Sequence, residues 1–394
     1  MRRTYHIILC GLSNVTLEPK IFTNFPKLKS LHIEYGLLTN VSADFPKLDH
    51  LQNISITYTQ LTHVQNTLFN NLPMLMHLDL RWNHLKNLDG PLILQPKFKK
   101  MLLNGNPWNC SKNMKWTMQN TKTQQIGDYE YLQCVDTSFK NQSISYVMRT
   151  KKSIRQMCHT SPELNNCTCS LSYITLHLNG ILRPMYSINC SHLNLYQLPS
   201  TVPENTTTFY ATHNKIRSTE PLLNAYRSVR DIYLDYNEIE TIEALESDNW
   251  LERFSVLSLK GNRLQKVTAY LLENALERNH HAHALYLSEN PWHCECIFTL
   301  RFQELLQAHR SIIKDFSDIR CEFINANGEI ATDSVLALNR GDVCVLSTEN
   351  SIQPIDLLNT VMAALIIFII FKLIYDYYHY RKSGRLPWLV TKMP

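Results

Sequence analysis

LDLRWNHL, Leu78 to Leu85, reads apolar-x-apolar-x-x-Asn-x-Leu. The same frame falls on LHIEYGLL (Leu31 to Leu38), ISITYTQL (Ile54 to Leu61) and MLLNGNPW (Met101 to Trp108), with Gly36, Thr59 and Asn106 in the slot that Asn83 fills. It extends to IILCGL, Ile7 to Leu12, where Cys10 is read as the slot residue and as a buried free thiol rather than a lipid anchor or an intermolecular bridge. A second series comprises FYATHNKI (Phe209 to Ile216), IYLDYNEI (Ile232 to Ile239), LSLKGNRL (Leu257 to Leu264) and LYLSENPW (Leu285 to Trp292). Its slots are Asn214, Asn237, Asn262 and Asn290, and INCSHLNL (Ile188 to Leu195) leads in. One frame recurring at a spacing of roughly 25 residues predicts stacked turns of chain, each supplying one short strand. The apolar positions point inward, and the slot side chain hydrogen-bonds a neighbouring turn so that the bend buries no unpaired polar group.

This frame resembles the leucine-rich repeat. The resemblance implies an α/β leucine-rich repeat solenoid in two blocks with disulfide caps, plus one C-terminal transmembrane helix. An open solenoid leaves an apolar end that needs a lid. In NPWHCECIFTLRF, Asn290 to Phe302, the proline stops the pattern and the tryptophan plugs the core. Cys294, Cys296, Cys321 and Cys344 then staple a short helical flap over that end. Spacing alone leaves three pairings open. The stretch resembles the carboxyl-terminal cap of extracellular leucine-rich repeat proteins, which implies Cys294 with Cys321 and Cys296 with Cys344. NPWNC, Asn106 to Cys110, resembles the start of an earlier cap closed by Cys134, with Lys112 where a second cysteine is expected and one bridge lost. Cys158, Cys167, Cys169 and Cys190 resemble an amino-terminal cap, implying Cys158 with Cys169 and Cys167 with Cys190. Of eleven cysteines only Cys10 is then left over. Zinc is the rival explanation, and CxC spacing without CxxC pairs argues against it.

The order of parts resembles the membrane-proximal ectodomain of insect Toll-type receptors, without their cytoplasmic signalling domain. It divides the chain into a first repeat block (1–107, with the true start expected upstream), a C-terminal-type cap (108–157) and an N-terminal-type cysteine cap (158–198). A second repeat block (199–291), a C-terminal cysteine cap (292–344), a juxtamembrane linker (345–356), a transmembrane helix (357–375) and a short cytoplasmic tail (376–394) follow.

Sequons at Asn14, Asn40, Asn53, Asn141 and Asn205 are read as glycosylated, and three more, at Asn109, Asn166 and Asn189, contain a cysteine. Together with the cysteine spacing they favour a secretory route and an oxidising compartment. MRRTYHIILCGLS at the start has too short and broken an apolar run for a signal peptide. Leu357 to Tyr375, LLNTVMAALIIFIIFKLIY, spans roughly 28 Å at ~1.5 Å per residue, close to a hydrocarbon core. Arg381, Lys382, Arg385 and Lys392 follow, which places the tail in the cytosol and gives a single-pass type I protein of the plasma membrane. Tyr375, Tyr377, Tyr378 and Tyr380 read as an interfacial aromatic belt rather than phosphorylation sites. The tail also resembles that of the insect halfway (singed wings 2) family.

No GxSxG, HExxH, P-loop or dinucleotide glycine pattern occurs, so neither catalysis nor a cofactor is expected. A net charge of +5 falls short of the basic stripe of a nucleic-acid binder. RNHHAHAL, with His280, His281 and His283, reads as a solvated connection rather than a metal site. The x positions of each strand are expected to line a concave ligand-binding face. These are Tyr35, Tyr58, Asp79, Arg81 and Trp82 in the first block, and Tyr210, His213, Tyr233, Asp235, Tyr236, Lys260 and Tyr286 in the second. Tyr, Trp and Arg are the residues enriched at interface hot spots. The expected function is a membrane-anchored glycoprotein binding a secreted or cell-surface protein, as a receptor-like protein, co-receptor or decoy. A structural adhesion or matrix-organising role is the alternative, and homo- or hetero-oligomerisation through the ectodomain stays open.

Overall fold

The computed structural model describes residues 3–112, 114–117, 125–177, 179–223, 225–243, 245, 250–325, 328–344 and 354–383. Most of the expected linker (345–353) and the tail from 384, with Arg385 and Lys392, lie outside the described residues. Two compact units divide the chain, Met1–Val343 and Cys344–Pro394. In the second, Pro354–Ser383 is one helix.

In the first unit the repeat frame becomes strands His6–Cys10, Ser30–Glu34, Asn53–Thr57, His77–Asp79 and Lys100–Leu102, paired in that order into a parallel sheet. The first apolar residue of each frame stands opposite the next: Ile7 with Leu31, Leu31 with Ile54, Ile54 with Leu78, Leu78 with Met101. A second sheet holds Leu182–Asn189, Thr206–Tyr210, Asp231–Tyr233, Val256–Ser258 and Ala284–Tyr286, again parallel. Thr168–Leu176 pairs antiparallel on its outer edge. All repeat strands run the same way because the chain must return along a back limb before starting the next one. In the first series those limbs are packed by Phe22, Phe45 and Phe69, buried and stacked at 6.0 and 5.9 Å.

The α/β expectation holds only in part. Among the described residues, the back limbs of the first sheet carry a 3-10 turn, Pro19–Asn24, and loops instead of α-helices. Slots 23 or 24 residues apart (59 − 36, 83 − 59, 106 − 83) leave too little chain for one. The α-helix Ala269–Arg278 appears where the slots Asn262 and Asn290 stand 28 apart (290 − 262).

The slot asparagines bond backwards. Asn237 Nδ2 donates to Leu234 O of its own turn and to Ala211 O of the turn before, both at 2.9 Å, while its Oδ1 accepts the Ile216 N–H at 3.1 Å. Asn262 repeats this with Leu259 O, Leu234 O and Ile239 N–H, and Asn290 with Leu287 O, Leu259 O and Leu264 N–H. Asn106 does the same in the first sheet, and Asn83 donates likewise to Leu80 O and Ile56 O while its Oδ1 accepts the N–H and hydroxyl of the preceding slot residue, Thr59. All are at least nine-tenths buried, so the amide is the partner these backbone groups would otherwise lack.

In the first parallel turn of each series the slot residue is a leucine. Register pairs Cys10 with Glu34, two places short of Gly36, so the slot of the first turn is Leu12. The Cys10 assignment is thereby corrected: it is an exposed free thiol in a strand, not a buried slot residue. The step to Gly36 becomes 24 residues (36 − 12), matching its neighbours. In the second series Leu193 is the equivalent, and the Oδ1 of Asn214 accepts its N–H at 3.0 Å.

Trp108 and Trp292 are fully buried under the last turns, against Trp116 at 5.1 Å and Phe302 at 4.9 Å. Phe302 lies in the helix Cys296–Ala308, the flap of the second cap. Cys110 is bonded to Cys134, Cys158 to Cys169, Cys167 to Cys190 and Cys294 to Cys321. Cys296 and Cys344 are also disulfide-bonded. The helix Ile144–Thr160, capped by Ser143 Oγ accepting the Tyr146 N–H at 3.2 Å, runs through the boundary expected at 157/158 and carries Cys158. One element therefore serves both caps.

Asn237→Ala strands two carbonyls and one N–H away from water. We expect a loss of roughly 3 kcal/mol in urea unfolding of the oxidised chain; a change within ~0.5 kcal/mol, the range of ordinary surface substitutions, would contradict the slot's role.

Candidate ligand-binding face

The residue just before each slot adopts a left-handed backbone. In the first series these are Gly11, Tyr35, Tyr58, Trp82 and Gly105, with φ of 70, 55, 52, 58 and 78°. In the second they are His192, His213, Tyr236, Gly261 and Glu289, with φ of 60, 54, 54, 66 and 57°. Left-handed backbone costs a non-glycine residue about 1–2 kcal/mol. At Trp82 the slot amide closes the corner, Asn83 Nδ2 bonding Leu80 O at 2.9 Å; Tyr35, Tyr58 and His192 are left-handed before Gly36, Thr59 and Leu193, which have no amide side chain.

Side chains at these corners stack from turn to turn. Tyr35 and Tyr58 lie 5.0 Å apart at 14°, Tyr58 and Trp82 5.7 Å apart at 8°. His192 and His213 stack at 4.5 Å, His213 and Tyr236 at 4.6 Å. Each ladder ends over a glycine. A Cβ on Gly105 would come within 2.4 Å of the Trp82 ring, and one on Gly261 within 2.5 Å of the Tyr236 ring. Beyond Gly261, Tyr236 Oη donates to Glu289 Oε2 at 3.0 Å, and Lys260 Nζ pairs with Glu289 Oε1 at 3.0 Å. Lys260 and then Tyr236 hold the Glu289 carboxyl below its usual range, and the Glu289 bond in turn raises the Tyr236 hydroxyl. The rings cover one another's faces, yet Tyr35, Tyr58 and Trp82 stay 58, 46 and 47% exposed, so a continuous rim is open to a partner.

The residues read as one concave set thus fall into two groups. Tyr35, Tyr58, Trp82, His213 and Tyr236 stand at corners, because positive φ takes them out of the strand. The others lie in the strands or directly after them. Asp79 and Arg81 form an ion pair at 2.7 Å. Tyr210 and Tyr233 stack at 4.6 Å, and Tyr286 is in register with Ser258. Burial pushes the Asp235 carboxyl up, opposed by hydrogen bonds from Ser258 Oγ and the Lys260 N–H. Among the sequon asparagines, Asn14, Asn40 and Asn141 are exposed, while Asn53 and Asn205 are partly buried. Asn53 Oδ1 lies 2.9 Å from His77 Nδ1. His280, His281 and His283 are exposed beside the buried anchor Asn279. Cys110, Cys134 and Asp136 cluster, but the sulfurs are spent in a disulfide and offer no thiolate.

Residues that strand-by-strand reading passes over are His192, Glu289, Gly105 and Gly261 at the corners, and Asp128 and Asp315 in the caps. Asp128 accepts the N–H groups of Leu103 and Asn104, Asp315 those of Leu287 and Ser288, at 2.7 to 3.1 Å. A shared signal exists: Ile126-Gly127-Asp128-Tyr129 and Ile313-Lys314-Asp315-Phe316, each aspartate six residues before its cap cysteine, Cys134 or Cys321.

Slot ladder, parallel turns and bridged caps define a leucine-rich repeat protein. At 40% identity over 98% of this chain and 78% of the relative, it belongs to the family of the Drosophila melanogaster protein singed wings 2. The Drosophila melanogaster protein halfway is 26% identical over 97% of this chain and 62% of its own length. The two names, read from the tail as one protein, thus belong to two. A family profile described as the Halfway C-terminal domain matches residues 355–392. Among solved structures, the glycosylated Toll–Spatzle complex from Drosophila is similar, with 17% identity and a TM-score of 0.38 over 86% of this chain and 51% of that one.

Gly261→Ala forces a Cβ into a left-handed corner and against the Tyr236 ring. We expect it to lower stability by roughly 1–2 kcal/mol in thermal or urea unfolding, with part regained when Tyr236→Ala is added. Full tolerance of the alanine would show that the ring does not lie over this corner.

Proposed function

We propose that the chain is a single-pass membrane glycoprotein that docks a secreted or cell-surface protein on its leucine-rich repeat face, as a receptor-like protein, co-receptor or decoy. The observation that carries this reading is the Tyr35–Tyr58–Trp82 rim, three adjacent aromatic side chains already fixed by stacking and still about half exposed. Rings held in place before contact lose little side-chain freedom on binding, which leaves more of the contact energy as affinity. Tyr and Trp are also the side chains that most often dominate interfaces. The membrane reading is supported by the stretch Leu357–Lys382, 26 helical residues that contain an 18-residue window with a mean hydropathy of 2.5. An oxidising route is supported by the cap bridges and the exposed sequons at Asn14, Asn40 and Asn141.

Proximity labelling from the repeat face on living cells tests the proposal. One secreted or surface protein is expected to be enriched, with Tyr58→Ala and Trp82→Ala each weakening its capture by roughly tenfold. Enrichment of this chain alone, with self-association in ultracentrifugation, would replace docking by adhesion. No enrichment from a chain that reaches the surface would sink both.

A further inference from the structure

The last turns of the helix Pro354–Ser383 carry a feature that spanning a bilayer does not require. Asp376 is the one acidic residue from Leu357 to Ser383, and Lys372 Nζ pairs with its Oδ1 at 2.6 Å while lying 5.7 Å from the centre of the Tyr375 ring. That charge is therefore cancelled within the helix. Downstream, YYHYRKS holds cations without an acid, and among the described residues neither Arg381 nor Lys382 pairs with a carboxylate. Tyr375, Tyr378, His379, Arg381 and Lys382 line one cleft along the helix, with the Tyr375 and His379 rings 6.2 Å apart and the two tyrosines about two-thirds exposed.

The order of these groups along the axis matches a lipid. Tyrosine rings sit at the depth where acyl chains meet headgroups, and a guanidinium and an ammonium one to two turns further out meet the phosphate. A zwitterionic headgroup brings its own ammonium and gains little from two more cations; an anionic one is attracted by both. We propose that this cleft binds an anionic phospholipid of the leaflet from which the helix emerges, with Arg381 and Lys382 on the headgroup and Tyr375 and Tyr378 against its glycerol end. The proposal rests on the spanning role given above. It makes the helix end a lipid-selective foot as well as an anchor.

The full chain, reconstituted into phosphatidylcholine bilayers containing a minority of phosphatidylserine, is extracted into mild detergent and its retained lipid quantified by mass spectrometry. Each cation near the surface favours the anionic lipid by about fivefold, so phosphatidylserine should be retained roughly 25-fold above its bulk ratio. The double variant R381Q/K382Q should insert equally and fall back to the bulk ratio. Inorganic phosphate should leave the retained lipid in place; displacement by it would make a free anion the occupant and overturn the lipid. Retention at the bulk ratio by an inserted wild-type chain would overturn the cleft's selectivity. Failure to float with pure phosphatidylcholine vesicles is a separate failure, that of the spanning helix itself.

Discussion

A buried primary amide that reaches back one turn is the contact on which the rest of the first unit depends. Strands of three to five residues make few ladder bonds, and a corner that turns under the sheet leaves carbonyls and N–H groups facing inward. Asn83, Asn106, Asn214, Asn237, Asn262 and Asn290 each supply donors and an acceptor at that point, sealed from water. The direction of bonding also explains the last turn of each series, while Leu12 and Leu193 hold the slot in the first parallel turns. Where no later turn exists to accept the next N–H groups, a cap carboxylate does so, Asp128 at one end and Asp315 at the other. The disulfides then fix the segments that deliver those carboxylates, since Cys134 and Cys321 follow them closely in sequence.

The exposed face follows from the same corner. The residue before the slot is left-handed whether the slot holds asparagine or, as at Gly36, Thr59 and Leu193, no amide side chain, so its side chain is aimed outward at a similar angle from turn to turn, and like placement at a strand spacing makes aromatic rings stack. Tyr35, Tyr58 and Trp82 do so in one series, His192, His213 and Tyr236 in the other. A glycine is required where a ring lies across the next corner, at Gly105 and Gly261. Rigidity and exposure thus share one cause.

Much of this was legible because burial leaves a strong trace: the apolar frame placed the strands in register, and NPW followed by cysteine marked both lids. Three things were not. Cys10 resembles a slot residue because it is the polarisable side chain in IILCGL, and only the strand register, Cys10 opposite Glu34, moves the slot to Leu12. The corner residues looked like any other x position, since left-handed backbone has no signature when tyrosine, tryptophan and histidine adopt it in place of glycine. Helix in the back limbs followed from family expectation, while among the described back-limb residues an α-helix appears only between Asn262 and Asn290, where the turn is longest. The cap aspartates carry a motif, but only its recurrence in two caps makes it visible.

Amide hydrogen exchange on the intact oxidised chain examines the slot contact most directly. The N–H groups of Leu85, Ile216, Ile239 and Leu264 lie outside the strands, yet each is bonded to a buried asparagine oxygen. They should exchange as slowly as the strand amides of Ile232 and Leu257. Exchange at the rate of solvated loops would mean that the amides do not hold the turns together, and the account of the slot contact would fail.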